Sequence, residues 1–295
     1  MKLSKCVGIL VVGLVVSFNC AGSGTKSQSA KSAKQPGGEG KNAPQAEDGL
    51  VQVPKNIDHR AFDELLKKYV DDKGLVNYAA WKKSEADLKA LRVYTDKFSG
   101  REPFAIGKER VASLINAYNA LTIHWILENY PAESIQELKD SFKGKRHMIG
   151  GQAASVDDIE HKTLRPLVGY RTHAALVCAA RSCPPLSRDA FREDVLDQQL
   201  DEAMRRWLAR SDLNNFDSQK REAHVSSIFK WFKDDFGGKA EGVLAVLTKY
   251  APPQHQQFLR SPGVKVNYLD YNWGLNDQGE RGRNYHRGVF KKIFG

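Results

Sequence analysis

The stretch ERVASLINAYNALTIHWILENYP, Glu109 to Pro131, narrows the possible folds more than any other part of the chain. Its apolar residues recur at helical spacing: Val111, Leu114, Ile115, Tyr118, Leu121, Trp125 and Ile126 make one face. Ala112, Ile123 and Leu127 make much of the opposite side apolar as well. A helix that is apolar nearly all round needs protein on every side, so it is expected at the centre of a shell of other elements. Asn116 and Asn119 stand one turn apart on it. A buried amide without partners costs about 1–3 kcal/mol. Either both amides brace neighbouring loops, or one of them lines a cleft.

The flanking segments supply the shell. HRAFDELLKKYV begins an amphipathic helix through Phe62, Leu65, Leu66 and Tyr69, LVNYAAW reads as a short extended element, and a second helix follows through Leu88 and Leu91. SVDDIEHKTLRP opens on a capping-box pattern, Ser155 and Asp158, and Pro166 is expected to close its helix. Asp157, His161 and Arg165 fall at successive i, i+4 positions, a solvated ladder of charges unless that face is covered. THAALVCAA reads as a buried strand and RSCPPLS as an irregular turn. Helices follow through Val195, Leu196, Leu200, Met204 and Leu208, over HVSSIFKWFKDDFGG, and over EGVLAVLTKY, before an extended VKVNYLDYNWGLND. The expected class is α+β: one helix-rich domain, residues 56–295, around a small sheet.

Ahead of that body the chain reads differently. Lys2 and Lys5 precede an apolar run from Val7 to Phe18, the pattern of an export signal and shorter than the roughly 20 residues of a comfortable membrane span. Cys20 sits where a bacterial lipoprotein would be acylated, with cleavage near Ala21 to Ser23 as the alternative. Residues 21–55 are rich in Gly, Ser, Ala, Lys, Gln and Pro and lack aromatic residues, which makes them a disordered tether. The expected location is the bacterial cell envelope, anchored through lipid and facing the periplasm or exterior. A net charge of +10 would then meet anionic lipid or an envelope polymer or protein sooner than nucleic acid, for which no motif is present. The basic C-terminal GVFKKIF could touch lipid or dock on its own domain.

Of the four cysteines, Cys6 leaves with the signal and Cys20 is the lipidation candidate, so the mature body keeps Cys178 and Cys183. Three readings of the pair stay open. Outside the cytosol they can form a disulfide, if the chain turns between them. Alternatively Cys183 is a nucleophile: Arg181 lies near it in sequence, and a cation favours the thiolate. On a regular strand His173 and Cys178 point to opposite faces, so Cys178 reads as a small buried hydrophobe and His173 is paired with Cys183 instead. With His173 or His161 as base and Glu160, Asn116 or Asp270 orienting the imidazole, the parts of a thiol–histidine site are present. Acyl transfer or amide hydrolysis of a papain- or transglutaminase-like kind would follow. Metal binding by His161, His173 and Cys183 has no Cys-x-x-Cys or His-x-x-x-His spacing behind it, and no metal or cofactor is expected. The aromatic group Phe229, Trp231, Phe232 and Phe236 reads as core.

LVNYAAWKK, LINAYNALTIHWILENYP, VDDIEHKTLRP, THAALVCAARSCPPL, FKWFKDDFG and YLDYNWGLN together resemble, in the same order, the recurring motifs of the domain of unknown function 547 family, across about residues 60–277. The closing motif of that family usually carries Tyr-Asp-Trp, and here Asn272 stands at the acidic position. The resemblance implies no established activity. Exported bacterial members and plant members with a coiled-coil segment suit an interaction module as well as an enzyme. Two functions are therefore carried forward: a thiol-dependent hydrolase or acyltransferase on peptide or amide substrates, with Cys183, His173, Glu160 and Asn116 catalytic and His161, Arg181, Asn119 and Asp270 binding, or a non-catalytic scaffold with a structural cysteine pair.

Overall fold

A computed structural model describes residues 49–285. The expected export signal, Cys20, the expected tether up to residue 48 and the tail from residue 286 lie outside the described residues. The tether reading runs a few residues too far. Val53 is fully buried, its carbonyl accepts from the Ala105 N–H at 2.9 Å, and the Lys55 N–H donates to Pro103 O at 2.9 Å. The Val51 N–H donates to Thr163 Oγ1 at 2.8 Å. Two valines give this short piece the apolar surface that the segment's average composition hides.

Helices α2 (Tyr78–Lys83) and α3 (Glu85–Asp96) pack on α4 (Gly107–Asn129), and α1 (Arg60–Tyr69) packs on α2 and α3. α1 buries Phe62, Leu65, Leu66 and Tyr69, the residues its periodicity marks. α4 is buried without interruption from Arg110 to Ile123, as an all-round apolar helix must be. The extended element expected at LVNYAAW shrinks to a bridge at Val76, because Asn77 caps α2 by accepting the Ala80 N–H at 3.0 Å.

A hairpin of β1 (His147–Ile149) and β2 (Gln152–Ala154) leads into α5 (Val156–Asp158), whose capping box forms as expected. Pro166 does not end this helix. The chain widens into a π-helix over Ile159–Leu164, with the Arg165 N–H reaching back to Glu160 O, and resumes as α6 (Arg165–Val168). A proline lacks an N–H and crowds the carbonyl four residues back, and a π-turn absorbs both effects. The expected strand at THAALVCAA is also absent. Thr172–Ala175 is a short helix, α7, and the chain then runs irregularly through the cysteines. The physical reason lies on α4: Asn119 Nδ2 donates to Ala175 O and its Oδ1 accepts the Val177 N–H, both at 2.9 Å. A side-chain amide takes the main-chain bonds that a neighbouring strand would have taken.

The second half of the domain has its own core. Helices α8 (Leu196–Ala209), α9 (Ile228–Trp231), α10 (Ala240–Tyr250) and α11 (Pro253–Leu259) gather Trp207, Phe229, Phe236 and Leu247 beside a three-stranded sheet. Its order is β3 (Asn215–Asp217), β4 (Glu222–Val225), β5 (Lys265–Tyr268), antiparallel then parallel, with Ala223 opposite both Phe216 and Val266. The fold is a helix-rich α+β domain with small sheets. Among the described residues no helix is long and apolar enough to cross a membrane.

Candidate functional site

Where the two cores meet, Tyr271 packs against both. A cleft of about 560 Å³ opens at this seam. One wall is aromatic: Trp231 stacks 5.8 Å from Trp273, and Tyr271 lies 4.8 Å and 4.7 Å from these two rings. Trp231 is 44 % exposed, so the reading of the FKWF aromatics as core holds for Phe229 and Phe236 and fails for Trp231. A larger groove of about 780 Å³ elsewhere is lined by surface charges, many already paired, such as Lys67 with Asp63.

The floor of the cleft holds sulfur. Cys178 and Cys183 are joined by a disulfide, their Cα atoms 6.4 Å apart. In this form Cys183 is not a free nucleophile, which corrects the direct catalytic assignment. So short a loop gains little from closure, about 2 kcal/mol in the chain-entropy picture. The Cys178 N–H donates to Cys183 Sγ at 3.2 Å. A disulfide sulfur carries no hydrogen, so Tyr271 donates its hydroxyl, 3.2 Å from Cys183 Sγ and 3.4 Å from Cys178 Sγ. Ala179, between the cysteines, has φ of 58°, a left-handed conformation costly for a residue with a side chain.

Carboxylates and histidines line the facing side. Burial pushes the Glu160 carboxyl above its ordinary value, against the pull of His161 and a hydrogen bond with Tyr118. Glu160 also acts electrostatically on Tyr271, whose phenol burial pushes up first. The charge ladder does form, with His161 Nε2 3.5 Å from Asp157 and Nδ1 3.1 Å from Arg165. It is not merely solvated, because Arg165 continues into a two-pronged pair with Asp235 at 2.7 and 3.0 Å. His173 Nε2 shares that carboxylate at 2.7 Å. Burial pushes its imidazole down to about 4, more than the Asp235 charge raises it. A neutral His173 therefore donates Nε2–H to Asp235 and keeps its Nδ1 lone pair, while its ring stacks 4.3 Å from Phe232. Burial raises the Asp235 carboxyl, but hydrogen bonds from Arg165 and His173 outweigh it and hold the group ionised.

The structure thus gathers Cys178, Cys183, His173, Glu160 and His161 in one cleft. It leaves four other candidates outside. Asn116 is occupied on both sides by the Phe191 peptide, at 2.8 Å each, and orients no imidazole. Asn119 braces the bend after α7 in the same way. Arg181 points its guanidinium at the carbonyls of Asp277, Gly279 and Arg281, so it clamps the C-terminal loop. Asp270 is exposed and away from the cleft lining. Asn272 uses its side-chain oxygen to accept the Gly274 N–H at 2.8 Å, a bond that a carboxylate would make equally. Among the described residues no three His, Cys, Asp or Glu side chains group closely enough to hold a metal ion. Sequence reasoning missed Asp235, Tyr271 and Trp231. For Trp231 and Asp235 the signal was present in FKWFKDDFG, where paired acids follow the aromatics, and Tyr271 stands in the YLDYNWGLN motif.

Fold and site together define a helix-rich α+β domain with a disulfide on the floor of an aromatic, acid- and histidine-lined cleft. Residues 105–208 match the family described as "Protein of unknown function, DUF547", the family whose motifs the sequence resembles. The matched segment carries α4, Glu160, His161, His173 and both cysteines, while Asp235, Trp231 and Tyr271 lie beyond it. Comparison with curated proteins and with solved structures found no match.

Proposed function

We propose that the cleft is a thiol-dependent acyl-transfer or amide-hydrolysis site, described here in its oxidised form. The observation that carries this reading is the pair of donors, the Cys178 N–H and the Tyr271 hydroxyl, aimed at Cys183 Sγ. Donors of this kind stabilise a thiolate once the disulfide is reduced. The Cys183 thiolate attacks the carbonyl carbon of an amide held along the aromatic wall. Glu160, whose carboxyl burial pushes above its ordinary value, gives its proton to the leaving amine. Water then attacks the thioester: Glu160 takes its proton back, the acyl group leaves as a carboxylic acid, and Cys183 returns to thiolate. His173, fixed through Asp235, presents a neutral imidazole to the same cleft. It moves from preferred base to a secondary one, because burial holds its imidazole down to about 4 and leaves the Nδ1 lone pair only weakly basic.

The test is turnover by the reduced full chain on a panel of acyl amides and thioesters. Cys183→Ala and Glu160→Gln are expected to abolish it. Cys178→Ala should be active without added reductant, since it cannot form the bridge. If no variant or wild-type preparation turns over and Cys183→Ala lowers only the melting temperature, the scaffold reading replaces this one. The Asn116 and Asn119 braces favour that second reading, being purely structural. On the sequence of residues 1–55 we further propose an envelope protein, exported and anchored through lipid on Cys20. Radiolabelled palmitate incorporation that is lost in Cys20→Ala tests this.

A further inference from the structure

The segment between the cysteines is pinned without their bond. The Asn276 N–H donates to Ala179 O at 3.0 Å, the Arg181 N–H to Gly274 O at 2.7 Å and the Ser182 N–H to Asn272 O at 3.2 Å. The Cys183 N–H closes the turn onto Ala180 O at 3.1 Å. A staple is redundant where the loop is already tied to the closing motif at three points. The two sulfurs also differ. Cys178 is half-buried, whereas Cys183 is 5 % exposed and is the sulfur on which both the amide N–H and the nearer Tyr271 hydroxyl contact converge.

We propose that the Cys178–Cys183 bridge is a thiol–disulfide exchange site that takes an external thiol or dithiol as co-substrate, with Cys178 the sulfur attacked and Cys183 the leaving group. This deepens the thiol-dependent reading by giving the cleft a redox gate. An incoming thiolate attacks Cys178 Sγ, the S–S bond breaks, and its electron pair leaves on Cys183 Sγ, where the Cys178 N–H and Tyr271 hydroxyl receive the charge. A second thiolate attacks the external sulfur of the mixed disulfide and releases Cys178, which takes a proton from water. The net change is two-electron reduction of the bridge and oxidation of two external thiols to a disulfide. A leaving thiol stabilised as thiolate leaves faster, and access decides which sulfur is attacked. Reduction leaves the loop in place and frees Cys183 inside a formed cleft.

The experiment uses the full chain, oxidised with glutathione disulfide, challenged with glutathione, quenched in acid and mapped by peptide mass. The expected result is glutathione on Cys178 and free Cys183, in at least about tenfold excess over the reverse. Tyr271→Phe should slow exchange by about tenfold, the loss of one hydrogen bond to a charged sulfur, without slowing it in urea. Equal labelling of the two cysteines overturns the proposal. So does failure of glutathione disulfide to form the bridge, or a bridge that glutathione reduces only after unfolding. If Tyr271→Phe does not fold, the wild-type labelling pattern decides alone. Exchange is read without any amide substrate, so an inactive hydrolase leaves this result standing, and a reduced enzyme that turns over leaves the hydrolase standing if exchange fails.

Discussion

Asn119→Ala is expected to unfold the approach to the cleft before it touches any chemistry. The side chain is 3 % exposed and makes two main-chain bonds across α4, to Ala175 O and from the Val177 N–H. Alanine leaves a carbonyl and an N–H buried without partners, at about 1–3 kcal/mol each. The expected loss is about 4 kcal/mol, a large fraction of the roughly 5–15 kcal/mol that holds a domain together. Urea unfolding followed by tryptophan fluorescence measures it, with Asn129→Ala as control. Asn129 bonds to Trp125 O one turn back on the same helix and should cost under about 1 kcal/mol. A loss below about 1 kcal/mol for Asn119→Ala, with native fluorescence, would mean that the bend after α7 does not depend on this amide.

Acid should weaken the domain through its buried histidines. His173 stays neutral down to about 4 in the fold and protonates near 6.5 when unfolded. The unfolded chain therefore binds the extra proton between those values, and stability falls by about 3 kcal/mol as pH drops from 7 to 4. His59 and His147, held down to about 4 by burial, act in the same direction, and Glu160, held up, opposes them over part of the window. Urea midpoints at pH 7 and 4.5 check the sign, and an unchanged or higher midpoint at 4.5 would refute it. Gly74→Ala should cost about 2 kcal/mol or more in the same assay, because Gly74 sits at φ +77° and an added methyl runs into the backbone of Pro185 and Leu186. Trp231→Ala should change stability by under about 1 kcal/mol and raise KM for any cleft substrate with little change in kcat. A loss confined to kcat would place Trp231 outside binding.

Long apolar periodicities were readable in the sequence. α1, α3, α4, α8 and α10 follow from i, i+3, i+4 patterns, and the Ser155–Asp158 capping box forms as its spacing says. Short elements were not readable, for a definite reason. An apolar run such as AALV fits strand or helix alike, and the choice was made by Asn119, more than fifty residues away in sequence. The same dependence on distant partners governs the site. His173, Glu160 and the cysteines carry their chemistry in their residue types, so they were found. Asp235 and Tyr271 acquire their roles only from what folds against them: Arg165 and His173 on one carboxylate, two sulfurs on one hydroxyl. Asn116 and Arg181 failed for the converse reason, since main-chain groups far along the chain already occupy their polar atoms.

The most direct test of the account is an ultraviolet thiolate titration of Cys183 in the reduced Cys178→Ser chain, a reading that needs no reagent to reach the buried sulfur. The two donors on Cys183 Sγ predict a midpoint at least about one pH unit below the free-thiol value of about 8.5. A midpoint at or above about 8.5, as burial alone would give, would contradict the thiol-dependent reading.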